Sequence, residues 1–409
     1  MHTFDPVESL ASMRHEFGEH GGVNMSIEAS TTFTVMDART MPELFQGHLG
    51  PERGGCYLYG RHFNPTVYVL GKEIAAIEGA EAAYATASGL GAISSVILQV
   101  CDSGDHVVAG NTIYGGTFAL LREYLPKKAN ISTTFVPVSE VGAIEAAITP
   151  RTRAIFVESI SNPTLRVADI PRLAAIARRH AVSLIVDNTF SPMIMSPIRL
   201  GADIVVHSLT KFMNGASDVI GGAVAGTGEF ILRLMDLHTG SLMLLGPTMD
   251  PRIAFEVSTR LPHLGLRMRE HCRRAEVFAH RLADLGLAVD HPSLAAHPDH
   301  ALIQRLANPG FGLCGIFTLD LGTRERAEGV MAELQNVQHF GYMAVSLGYF
   351  DTLMSCSASS TSSEMSAEAL AAAGIRPGLV RFSIGFTGSL EQRWSQLHAA
   401  LRARGIVKA

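Results

Sequence analysis

Cysteine is scarce and unpaired in this sequence: Cys56, Cys101, Cys272, Cys314 and Cys356 are scattered, odd in number and without a CxxC spacing. That argues against a disulfide scaffold and against a zinc site, so no metal is expected and a reducing, cytoplasmic setting is. Long apolar runs are missing too, and none approaches a membrane span. The opening MHTFDPVES lacks the basic and apolar regions of a signal peptide. No basic block offsets the formal charge of −5, which argues against a nucleic-acid partner. Charged residues make up only 17% and hydrophobic ones 47%, the balance of a well-packed soluble protein. At 409 residues the chain exceeds one ordinary core, and two domains are expected. Its 39 glycines suit a loop-rich α/β enzyme.

The stretch 204–222, IVVHSLTKFMNGASDVIGG, organises what is present. Its β-branched start reads as a buried strand that breaks into His207, Ser208, Thr210 and Lys211. A lysine just past a strand end stands where ligands gather in open α/β sheets. Partial desolvation there lowers an amine pKa and makes a Schiff-base nucleophile, although a lysine snorkelling off the strand fits the same letters. Residues 1–60 show little periodicity beyond a helix near 6–17, and read as an extended arm that needs another surface. Tyr59 and Arg61 in YGRHFNPT offer a hydroxyl and a guanidinium fork to a phosphate, or simply a turn before the helix 67–78. Ser88, Gly89 and Leu90 in ASGLGAI precede a helical run to 100, where free N–H groups cradle an anion.

From residue 105 strands and helices alternate, one helix falling near 116–125, indicating a mostly parallel sheet with crossover helices. Three buried strands end in polar groups: Glu158 with Asn162 just beyond, Asp187-Asn188, and His207-Ser208 with Lys211. Such ends describe a ligand crevice. Asp187 either caps a helix or faces a cation such as a protonated ring nitrogen. Tyr114, beside Gly115-Gly116, suits stacking on a flat heterocycle or a surface turn. Helices come next near 251–260 and 265–285, at the domain junction. The tail reads as α+β, with strands GLCGIFTLDL and LVRFSIGF. Arg381, mid-strand among apolar neighbours, needs either a substrate carboxylate or an internal acid. The run 355–363 (SCSASSTSS) reads as a loop.

Taken in order, YGRHFNPT, ASGLGAI, YGGTFAL, ESISNPT, VDNTF, HSLTKFMNGASDVIGG, AVSLG and GLVRFSIG resemble the Cys/Met-metabolism family of pyridoxal 5'-phosphate (PLP) enzymes. That resemblance spans residues 59–386. It implies a fold-type-I architecture: an N-terminal arm (1–60), a large PLP-binding domain (61–258) with a mostly parallel sheet between helices, and a smaller α+β domain (259–409). It implies that Lys211 is the PLP-linked base, that Asp187 pairs with the pyridinium nitrogen, and that Ser88, Gly89, Leu90, Ser208 and Thr210 hold the phosphate. Tyr59 and Arg61 would reach the phosphate of the adjacent subunit in a homotetramer, a dimer of dimers with shared sites. Tyr114 would stack on the ring and act as acid/base, Asn162 would contact the ring hydroxyl, and Ser346 and Arg381 would bind the substrate carboxylate.

The expected reaction is γ-elimination on a sulfur-containing amino acid, as in methionine γ-lyase, giving 2-oxobutanoate, ammonia and a thiol. γ-Replacement on an O-acyl-homoserine is second, cystathionine cleavage third, and a silent PLP carrier the non-enzymatic reading. Several positions depart from the family pattern. Gly116 stands where methionine γ-lyases usually carry cysteine, and Ala216 replaces a usual histidine. Asp351-Thr352 replaces Glu-Ser, and residues 357–362, SASSTS, replace Pro-Ala-x-Met-Thr-His. These bear on substrate identity.

Overall fold

The computed structural model describes residues 4–14, 17–46, 48–50, 57–356, 370 and 374–408. Its larger sheet contains β1 (Ala82–Thr86), β2 (His106–Gly110), β3 (Ser132–Val136), β4 (Thr152–Glu158), β5 (Ser183–Asp187), β6 (Ile204–Ser208) and β7 (Gly222–Gly226). The strand order is β1-β7-β6-β5-β4-β2-β3. Pairing is parallel from β3 across to β6, whereas β7 runs antiparallel to both β6 and β1. The apolar runs of β4, β5 and β6 carry side chains to both faces. Ile155, Phe156, Leu184, Ile185, Val205 and Val206 are all fully buried. Burial on both faces is the reason these strands read as continuous rather than alternating.

Helices cover the two faces, and their ends follow local chemistry. Asn64 caps the helix Pro65–Glu78 by accepting from the N–H groups of Thr66 and Val67, at 2.9 and 3.3 Å. Proline fills its first position and Gly79, at φ 66°, ends it in the left-handed conformation. The helix Ile170–His180 starts instead on a carboxylate cap, Asp169, which accepts from the N–H of Arg172, with Pro171 at its second position.

The second sheet has the order β10-β11-β12-β9-β8, from β8 (Val289–Asp290), β9 (Ile316–Asp320), β10 (Gly341–Met343), β11 (Thr352–Cys356) and β12 (Leu379–Ser383). One helix, Leu264–Asp284, joins the two halves. Leu264, Met268 and Cys272 enter the core of the first sheet. Ala275, Phe278, Ala279 and Leu282 enter that of the second. Their three- and four-residue spacing is one apolar stripe serving two cores.

Four expectations change. The first helix is Pro6–Met13, shorter than 6–17. The arm holds a short helix at Met41–Phe45. The helix near 116–125 begins at Gly115, passes through a π turn at Leu120–Tyr124 and continues to Ala129. Ser355 and Cys356 belong to β11, not to a loop, while 357–363 lie outside the described residues. Cys101, Cys272 and Cys314 are free thiols, and they and Cys356 are buried. Among the described residues no helix is long and apolar enough to cross a membrane.

Phe156 lies at the centre of β4 with no exposed surface. Phe156→Ala should cost about 3–5 kcal/mol of stability, read as a fall in the urea midpoint. A midpoint equal to wild type would show that this part of the sheet tolerates a void.

Candidate active site

The C-terminal ends of β4, β5 and β6 converge. Glu158 pairs in register with Asp187, and Asp187 with Val206. Asp187 is 7% exposed and accepts from the N–H of Thr189 at 2.9 Å. Burial raises its pKa, against the Thr189 bonds and the nearby His207 and Lys211. Glu158 accepts from the backbone N–H groups of Tyr114 and Asn162, at 2.7 and 2.8 Å. Burial and the neighbouring Asp187 push its pKa well up, while those two N–H groups and Arg381 oppose the shift. Two adjacent carboxylates in so dry a place call for additional positive charge.

Lys211 comes after β6 on a tight turn and its Nζ donates to Ser346 Oγ at 2.8 Å. Desolvation, and then the charge of Arg381, lower its pKa to about 8. The amine is therefore substantially neutral at mildly alkaline pH, as a nucleophile must be. Ser346 sits at φ 92°, unusual for a residue with a side chain, and its carbonyl accepts from Arg381 Nη2 at 2.7 Å. Arg381 on β12 is 2% exposed and also donates from Nη1 to Asn162 Oδ1 at 2.9 Å. Its Nε is buried without a partner, as is the hydroxyl of Ser355, its register partner on β11. Among the described residues no carboxylate hydrogen-bonds this guanidinium, and the internal acid that faces it, Glu158, acts on it through charge alone.

A narrow cradle lies beside the lysine. Ser88 caps the helix Gly89–Val100 by accepting from the N–H of Gly91 at 3.0 Å. Gly222 faces both Thr86 and Ser208 in register. A side chain at 222 would strike the Ser88 carbonyl, and one at 89 would come within 3.0 Å of Ser208. Glycine at both places lets the Ser88–Gly89 turn approach Ser208 and leaves helical N–H groups directed at the gap. Leu90 is 38% exposed at its edge. The Thr210 hydroxyl is held on Gly221, accepting from its N–H at 3.1 Å. Thr189 Oγ1 accepts from the Ser208 N–H at 2.9 Å. The far side of the sheet is tied by Glu78, whose Oε1 meets Asn188 Nδ2 at 2.9 Å and His207 Nε2 at 2.7 Å.

Lys211, Asp187, Asn162, Ser346 and Arg381 are thus gathered by these bonds and charges, and Ser88, Gly89 and Ser208 form the cradle. Tyr59 and Arg61 are not part of this network. Arg61 donates to the Met243 carbonyl at 2.8 Å and lies 5.6 Å over the Tyr59 ring. Sequence reasoning named Glu158 only as a strand end and assigned nothing to Thr189 or Gly222. Strand-end position was the available signal for Glu158; a glycine opening a strand was the signal for Gly222.

This donor set fits PLP. Lysine can condense with the aldehyde, Asp187 can face a protonated ring nitrogen, and the cradle offers N–H and hydroxyl donors to a phosphate. Tyr114, 44% exposed, bends over Gly116, where a Cβ would come 2.6 Å from its ring. Gly116→Ala should therefore swing the Tyr114 ring away from the helix start. A crystal structure of the variant with the ring unmoved would refute this steric account.

The sequence profile of the Cys/Met metabolism PLP-dependent enzymes matches residues 9–401. The chain is 56% identical over 397 residues to a methionine gamma-lyase of Arabidopsis thaliana, spanning 97% of this chain and 90% of that one. It is 36% identical over 386 residues to an O-succinylhomoserine sulfhydrylase of Pseudomonas aeruginosa, spanning 93% and 91%. A Campylobacter jejuni structure, provisionally assigned as an O-acetylhomoserine (thiol)-lyase and carrying a pyridoxyl-lysine, superposes with a TM-score of 0.88 at 27% identity. The match covers 97% of this chain and 100% of that one. With the strand-end lysine, the paired carboxylates and the glycine-lined cradle in place, the chain belongs to the Cys/Met metabolism family of PLP-dependent enzymes.

Proposed function

We propose that the protein catalyses γ-elimination on a sulfur-containing amino acid of the methionine type, releasing 2-oxobutanoate, ammonia and a thiol. The observation that carries this reading is the 56% identity, over almost its full length, to a relative named methionine gamma-lyase. Lys211 is the cofactor-linked lysine in this reading, with Asp187 at the ring nitrogen and Asn162 at the ring hydroxyl. Ser88, Gly89, Leu90, Ser208 and Thr210 hold the phosphate. PLP, when bound, supplies an electron sink for negative charge developing at the substrate's Cα.

The protein's own groups supply the rest. Arg381 orients the substrate through its carboxylate, with Ser346 beside it, and this fixes the Cα–H within reach of Lys211. Lys211, with its pKa lowered to about 8, takes that proton and, once it has handed it on and is neutral again, takes one from Cβ. Tyr114 stands at the mouth and delivers a proton to the departing sulfur. Burial around Asp187 and Arg381 keeps water from screening these charges.

γ-Replacement on an O-acyl-homoserine is the second reading, favoured by Gly116 and by the sulfhydrylase relative. The assembly we propose is a homotetramer in which Tyr59 and Arg61 reach the neighbouring subunit's phosphate. The exposed Tyr59 and the apolar surface of Phe17, Val23 and Met36, 72%, 92% and 97% exposed, support such a partner. We place the protein in the cytoplasm and divide it into an arm (1–60), a cofactor domain (61–258) and a C-terminal domain (259–409).

Incubation with methionine, cystathionine, and O-acetylhomoserine with or without sulfide, monitoring 2-oxobutanoate, tests the reaction. Methionine should give 2-oxobutanoate without added thiol; product only from the ester plus sulfide would favour replacement. Arg381→Ala should raise KM about 10- to 100-fold, the worth of a charge-assisted hydrogen bond. An unchanged KM would reassign the arginine to structure. Recapture of PLP by the stripped protein should quicken as pH rises through about 8, where Lys211 loses its proton. A rate independent of pH across that range would contradict the role given to this amine.

A further inference from the structure

Arg267 is a buried cation that this mechanism leaves unused and, unlike the buried Arg274 beside Glu270, one with no ion pair among the described residues. It lies on the helix Leu264–Asp284 and is 9% exposed. Its guanidinium donates from Nη1 to the Phe212 carbonyl and from Nη2 to the carbonyls of Met213, at 2.8 Å, and Arg260, at 3.3 Å. Nε donates to His263 Nδ1 at 2.9 Å. Every acceptor is neutral, and among the described residues no carboxylate pairs with Arg267. Burial, and then the charge of Arg260, lower its pKa to about 10. An uncompensated buried guanidinium costs stability, and packing alone would be served better by an apolar side chain.

Phe212 and Met213 come immediately after Lys211. The turn that carries them closes with Lys211 N–H on the Ser208 carbonyl at 3.2 Å and Gly215 N–H on the Lys211 carbonyl at 2.8 Å. Carbonyls at the end of such a turn lack partners of their own, and a planar fork can take two at once. Gly215, at φ 77°, leaves room for it, because a side chain there would strike Arg267 Nη1. On the opposite side Gly348, at φ 78°, sits where a Cβ would be 2.5 Å from the Phe212 nitrogen. The lysine turn is therefore gripped between a helix and the loop that also carries Ser346.

We infer that Arg267 is a positioning residue for Lys211: its two-carbonyl grip holds the turn so that the amine keeps its place between Ser346 and Asp187. The inference rests on the reading of Lys211 as the cofactor-linked base. A lysine at 267 cannot reproduce it, since a single ammonium lacks the planar fork. Loosening the turn misplaces the base without touching the carboxylate grip of Arg381, so kcat falls while KM holds.

The test uses the PLP-loaded enzyme and the variants Arg267→Lys, Arg267→Gln and Arg267→Ala. Each should lower kcat by about 10²-fold, the cost of an ångström-scale misplacement, with KM within a few-fold of wild type. The pH at which the yellow absorbance changes should move as well. Guanidinium chloride at millimolar concentration should restore part of the Arg267→Ala activity, and equal sodium chloride should not. A lower melting temperature with unchanged kcat and unchanged absorbance profile overturns the proposal, as does equal rescue by either salt. If Arg267→Ala does not fold, the Lys and Gln variants decide the question in its place. Borohydride reduction and peptide mapping separate the two failures. A pyridoxyl label on another lysine sinks the Lys211 reading, whereas a label on Lys211 with wild-type kinetics in Arg267→Gln sinks only this one.

Discussion

An amine kept partly out of water at the end of a buried strand is the constraint on which the rest of this structure depends. An exposed lysine would hold its proton up to its ordinary range, and only burial beside Arg381 brings Lys211 down to about 8. Burial alone would leave the side chain adrift, so its surroundings must also fix it. Ser346 receives its hydrogen bond at 2.8 Å, and the peptide just beyond it in the chain is gripped from two sides. Desolvation and fixation come from different parts of the chain, which explains why both sheets converge on one turn.

The same dryness governs the anionic side of the site. Glu158 and Asp187 are register neighbours, and burial raises the pKa of both. Each is moderated locally, Glu158 by two backbone N–H groups and Asp187 by Thr189. A cation arriving at Asp187 would relieve the pair further. Because Glu158 bonds the backbone of both Tyr114 and Asn162, it also sets where an aromatic ring and an amide stand relative to the carboxylate beside them.

Much of the site was legible because its residues lie at ends of obvious strands. The runs around Ile155, Ile185 and Val205 announce buried strands, and each gives way at its C-terminal end to polar residues. β1 was hidden because AAYAT carries few β-branched residues, and β11 because Ser355-Cys356 lead into a serine-rich stretch. The antiparallel course of β7 has no signature in GAVAG itself. Arg267 was invisible for a different reason. On an amphipathic helix a charged residue reads as solvated, and only the folded chain brings it against carbonyls 54 and 55 positions away. Long-range convergence of that sort leaves no local pattern. Pairing of Arg381 with Ser346 and Asn162 is equally distant, yet a charge inside a strand already demanded partners.

Glu78 ends the helix Pro65–Glu78 and receives hydrogen bonds from Asn188 and His207, the residues just after β5's Asp187 and just before β6's Ser208. One carboxylate therefore joins a helix to two strands behind the catalytic surface. These three segments cannot fray one at a time without stranding a buried acid, so the floor of the site opens as a single cooperative unit. Amide protons in all three should then share one slow exchange rate.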